Sequence, residues 1–88
     1  MITATISNTT QDAEVVATGQ GETLMTALCN AQATILSTAP YRDGVGKEIH
    51  FSENDKPMMT AFGDDLHEAL DEARARIRID YFWENAGQ

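Results

Sequence analysis

The chain has 88 residues, 42% of them hydrophobic, with fourteen Asp and Glu against six Lys and Arg for a formal charge of -8. That length supports one domain with a single modest core, and the charge argues against a binder of phosphate backbones, which relies on Lys and Arg. Cys29 is the only cysteine, which excludes an internal disulfide framework and a cysteine metal cluster.

Residues 1–7 alternate Ile2, Ala4 and Ile6 with Thr3, Thr5 and Ser7, the period of a strand buried on one face. Asn8 to Asp12 is a polar turn, and Ala13 to Thr18 reads as a second strand that completes a hairpin. The Thr and Ser face is expected to be wet, so the sheet is covered on one side only.

A helix is expected from Thr23 to about Ser37, with Leu24, Leu28, Ala31 and Ile35 as its apolar stripe. Cys29 falls one residue beyond that stripe and reads as a partly buried structural thiol. Pro40 to Gly46 then gathers a proline, an Asp-Gly signal and a second glycine, and forms a connector. It is not a phosphate loop, because it lacks the GxxxxGK[ST] pattern and no helix starts after Gly46.

Lys47 to Ser52 reads as strand three, with Ile49 and Phe51 on one face and Glu48, His50 and Ser52 on the other. Glu53 to Lys56 is a turn. Pro57 opens strand four, which runs to Phe62, and its missing amide is best tolerated at an edge or first position.

Gly63-Asp64-Asp65-Leu66-His67-Glu68-Ala69-Leu70-Asp71-Glu72-Ala73 starts a second helix and matches Gly, Leu, Ala, Leu and Ala of a segment 42 residues earlier, residues 21–31. Thr23 and Asp65 align as N-caps, and Glu68 follows Asp65 at capping-box spacing. Leu66, Leu70, Ala73 and Ile77 repeat the first stripe. Ile77, Ile79 and Tyr81 also alternate as a strand would, but no Gly or Pro interrupts the helical face, so the helix is expected to reach about Tyr81, with residues 85–88 as a frayed tail.

The text of residues 63–73 resembles the helix start in HicB-like antitoxin domains, where a short sheet precedes a helix. The similarity covers a cap and common helix formers only. The basic DNA-binding extension of many such proteins has no counterpart here, so no functional residue is carried over.

The fold expected is α+β: tandem ββα-ββα units forming a four-stranded, mainly antiparallel sheet with two helices packed on one face. Residues 1–88 make one domain, with pseudo-repeats at 1–42 and 43–84. With no basic start ahead of an apolar run and no segment of membrane-spanning length, the expectation is a cytoplasmic protein.

Five carboxylates, Asp64, Asp65, Glu68, Asp71 and Glu72, fall within nine residues that hold no Lys or Arg. Helix capping and a solvated face account for much of this. A specific acidic surface is the functional alternative, and Asp64, Glu68, Asp71 and Glu72 are its candidates. Trp83, next to Tyr81 and Phe82, is the candidate contact residue, because three consecutive helical side chains cannot all enter one core. Tyr81 continues the buried stripe.

Neither EF-hand nor HExxH spacing occurs, so no metal site and no cofactor are expected. His50 and His67 read as ordinary surface or half-buried residues. The function expected is that of a small acidic protein-interaction module rather than an enzyme. It would act as an inhibitor that mimics nucleic-acid charge and blocks a basic site, with a basic protein surface as partner and no direct nucleic-acid binding or membrane attachment. The alternatives are an enzyme or small-ligand binder at a dimer cleft, using both histidines, and a structural homo-oligomeric subunit. Exposed sheet edges on so small a core leave room for a homodimer.

Overall fold

The computed structural model describes the backbone of residues 1–9, 14–35 and 45–86, and the side chains of those as far as Arg78. Strands β1 (Ile2–Asn8) and β2 (Val15–Gly21) precede helix α1 (Leu24–Ile35). Strands β3 (Lys47–Glu53) and β4 (Lys56–Gly63) precede α2 (Leu66–Ala86). The order of elements is the tandem ββα-ββα expected.

The four strands form one sheet in the order β2-β1-β3-β4, and every neighbouring pair is antiparallel. The two repeats therefore meet through their first strands, with Ile6 opposite Ile49 and Ala4 opposite Phe51. Period-two alternation sends Ile2, Ala4, Ile6, Ile49, Phe51 and Ala61 to one face, where they are buried. Both helices cover that face, α1 over β2 and β1, α2 over β4 and β3. Residues of the stripes complete the core: Leu28, Ala31 and Ile35 from α1, and Leu70, Ala73 and Ile77 from α2. Burying a side chain such as Leu70 contributes about 1.5–3 kcal/mol.

The shared glycines explain the sequence repeat. A Cβ on Gly63 would lie 2.2 Å from Ala69 N, and one on Gly21 would lie 2.7 Å from Ala27 N. Each helix thus enters with its backbone against the strand it follows, and only glycine leaves the space. Gly19 does the same beneath Ala31, at 2.1 Å from its amide nitrogen. This corrects the expected end of the second strand at Thr18: β2 continues through Gly21 because its glycines are contact points for α1 rather than strand breakers. Gln32 and Arg74, also 42 residues apart, meet between the helices, where Arg74 Nη2 donates to Gln32 Oε1 at 3.1 Å.

Other expectations are also corrected: β2 begins at Val15, with Glu14 outside it, and β4 ends at Gly63 rather than Phe62. Asn8 belongs to β1 rather than to a turn, and it is buried in the row that pairs it with Lys47. Glu53 and Lys56 are strand residues, because Asn54 and Asp55 alone turn the chain with φ of 52° and 67°. Two positive φ angles make a two-residue hairpin that suits the right-handed twist of its strands. Helix α2 runs through Ala86, past Tyr81, so Asn85 and Ala86 are not a frayed tail. Cys29 is exposed rather than partly buried, because it stands one residue from Leu28 and about 100° round the helix from the buried stripe. Residues 40–44 of the expected connector, and Gly87 and Gln88 of the tail, lie outside the described residues.

The two sheet edges are finished differently. Along β2, Asn30 Nδ2 of α1 donates to the carbonyl of Gln20 at 2.6 Å. One turn on, Thr34 Oγ1 lies 3.5 Å from the carbonyl of Thr18 while its hydroxyl donates to Ala31 O at 2.8 Å. Side chains of α1 thus occupy the outer side of that strand.

Candidate functional site

Helix α2 is started by Asp65, whose Oδ1 accepts the amide of Glu68 at 2.8 Å; Thr23 Oγ1 accepts the amide of Thr26 at 3.1 Å in α1. Both caps sit where the aligned sequences put them, and each satisfies an amide that the first turn leaves unpaired. Ala69, Leu70, Ala73 and Ile77 turn to the sheet, so Asp64, Asp65, His67, Glu68 and Asp71 are left exposed and Glu72 half-exposed. The candidate acids therefore share one end of one helix, on its outer side.

Their electrostatic partners are unequal. Asp71 lies 3.3 Å from His67 Nε2 and 3.7 Å from Arg74 Nη1, and Glu72 Oε1 accepts from Arg76 Nε at 3.0 Å. Asp64 and Glu68 enter no ion pair among the described residues. The pairs on Asp71 and Glu72 are open to solvent, with side chains 60% and 44% exposed. Exposed pairs of this kind hold by about 0.2–1 kcal/mol, little enough for an incoming cation to displace.

The helix dipole favours only the acids at the positive start of α2, Glu68 in its first turn and Asp64 and Asp65 just before it. Arg74, Arg76 and Arg78 fall mid-helix because α2 runs on to Ala86, and its last turn holds no basic residue. Helix stability thus accounts for part of the cluster, and the acidic surface is confined to the first turns. On the rest of the surface, Lys47 contributes little positive potential: it is 1% exposed, and its Nζ donates to Val45 O at 2.6 Å.

Trp83 lies on the same helix, but its side chain and those of Tyr81 and Phe82 lie outside the described residues. The histidines do not converge within one chain. His50 projects from the helix-free face of the sheet, where Nδ1 is 3.0 Å from Thr60 Oγ1, while His67 stands on the helix side with an 86% exposed side chain. A shallow groove of about 280 Å³ at the β2 edge is lined by Val15, Val16, Ala17, Thr18 and Thr34, and neither histidine nor any carboxylate reaches it. Among the described residues no three His, Cys, Asp or Glu side chains gather as a metal-binding group, and no helix is long and apolar enough to cross a membrane.

The sequence does not reveal the part played by Asn30 and Thr34 at the β2 edge. Their i, i+4 spacing is the available signal, but it does not say which side of a helix meets a strand edge. The sequence does raise pairing of the acids with Arg74, Arg76 and Arg78 as what would weaken an acidic face. Asp71–Arg74 and Glu72–Arg76 are formed, while Asp64 and Glu68 are left out of such pairs among the described residues.

No known protein family, characterised protein or solved structure matches the chain. The local likeness to HicB-like helix starts gains no support from a matching family, and function is argued from the residues alone.

Proposed function

We propose that this protein is a non-enzymatic protein-interaction module that presents the carboxylates of the first turns of α2 to a basic surface. In this reading it acts as an inhibitor or accessory protein, with Asp64, Glu68 and Asp71 taking the places of phosphates in a groove built for nucleic acid. Glu72 adds to the field at the border of the patch, and Trp83 is the contact offered farther along the helix. The observation that carries the reading is the placement of exposed acids on a helix whose opposite side is locked to the sheet by Gly63, Leu70 and Ala73. Such a helix can meet a partner without rearranging, which limits the ordering cost of association.

The test is affinity capture from cells with the wild-type chain and with Glu68→Lys/Asp71→Lys, followed by titration of any captured basic protein. Binding should weaken steeply between about 0.05 and 0.5 M salt, since the Debye length shrinks over that range. Single-stranded or duplex DNA should compete, and the reversed variant should lose binding. Salt-insensitive capture that survives the charge reversal would reject this function.

A further inference from the structure

We propose that the β4 edge is the docking surface for a second copy of this chain. The two β4 strands would pair antiparallel about Ala61, joining two four-stranded sheets into one of eight strands. This goes beyond the acidic-face reading and does not depend on it.

The asymmetry of the edges is the starting point. Asn30 and Thr34 of α1 stand against the outer carbonyls of Gln20 and Thr18. The residues 42 positions on are Glu72 and Arg76 of α2, with Phe62 and Thr60 of β4 corresponding to Gln20 and Thr18. There the two helix side chains bond each other at 3.0 Å, and among the described residues no side chain reaches an outer carbonyl of β4. An uncovered strand edge is a template for a further strand. Among the described residues, two of the four large exposed apolar side chains also lie on this strand, Met58 at 46% and Phe62 at 58% exposure.

The pairing segment and its centre follow from β4 itself. Pro57 lacks an amide hydrogen, and the register of β4 on β3 shifts between Phe51 and Ser52, so regular pairing is confined to Met59–Gly63. Ala61 is the middle of that segment. Gly63 lies against Ala69, so two residues back along β4 and one turn on along α2 the strand position of Ala61 falls near Ala73, both of them buried.

Charge complementarity selects a second copy over a foreign strand. A two-fold axis at Ala61 runs α2 beside its copy in the opposite direction, so Glu72 of one chain comes opposite Arg76 of the other. The intrachain pair is then replaced by two interchain pairs with no charge left over. A lone foreign strand brings no helix to answer Glu72 and Arg76.

Sedimentation of the full chain over a concentration series tests this at about 0.15 M salt, which screens the general repulsion between two acidic chains. A reversible monomer–dimer equilibrium is expected. Phe62→Lys and Arg76→Glu should each weaken it by about tenfold or more, and Glu72→Arg/Arg76→Glu should restore it. Val15→Lys, on the opposite edge, should leave it unchanged. Circular dichroism checks that each variant is folded. Hydrogen exchange on the wild type reads the surface without any substitution: the outward amides of Thr60 and Phe62 should gain protection as concentration rises, and those of β2 should not. A monomer at every concentration, a dimer broken by Val15→Lys but not by Phe62→Lys, or failure of the charge swap to restore pairing would overturn the proposal.

Discussion

Replacing Gly63 by alanine is expected to be among the most damaging single-methyl changes the chain can take. The added Cβ would lie 2.2 Å from Ala69 N, 2.7 Å from the carbonyl carbon of Glu68 and 2.8 Å from Ala69 Cα, whereas ordinary contact begins at 3.4 Å. All three atoms are backbone, so no side chain can swing away. The first turn of α2 must retreat by about 1 Å, which forfeits a quarter to a half of the dispersion energy at each contact across the gap. Together with the 1–3 kcal/mol typical of overpacking, the loss should be about 3 kcal/mol, or roughly 10–20 °C in Tm for a domain of this size. Denaturant and thermal unfolding followed by circular dichroism measure it. Gly46→Ala is the milder comparison, because its Cβ meets the Thr9 hydroxyl at 2.6 Å, a group that can rotate aside, and main chain only at 3.2 Å, at the Gly63 carbonyl oxygen. Adding Ala69→Gly should not rescue Gly63→Ala, since the collision is with main chain. A variant within about 0.5 kcal/mol of wild type, or a full rescue by Ala69→Gly, would refute the close-approach account.

Asp65→Ala removes the side-chain acceptor 2.8 Å from the Glu68 amide and should lower stability by about 1 kcal/mol in the same assay, with Thr23→Ala giving a similar loss in α1. Equal stability of both variants and wild type would remove these residues as caps. Asp55→Gly should instead raise stability by about 0.5–1 kcal/mol, because Asp55 holds φ of 67° in a turn that prefers Asn-Gly; a lower denaturation midpoint would contradict the turn assignment.

Much of the fold was legible because three independent signals agreed. The Gly–Leu–Ala–Leu–Ala correspondence, the aligned caps at Thr23 and Asp65 and the period-two strands all point to the same two units, and local consistency of this kind is what makes a topology readable. The misses have physical causes. Gly19 and Gly21 look like a strand end in isolation; their role appears only when α1 lies on them. Asn8 and Lys47 are polar by type, yet pairing across β1 and β3 turns both toward the covered face. For the candidate site, spacing told which acids share a helix end and that Arg74, Arg76 and Arg78 follow them. It did not tell which acids those arginines engage, because side chains three and four apart compete for the same partners.

The strand order has a bearing on how the two halves depend on each other. Each repeat contributes its first strand to the middle of the sheet, so the ladder that runs without a register shift, from Ile2–Glu53 to Asn8–Lys47, joins residues from different halves. Neither half therefore owns a finished sheet. Severing the chain in the stretch between α1 and β3 should yield two fragments that are poorly structured alone and regain order when mixed, much as a torn page is legible only with both pieces laid edge to edge.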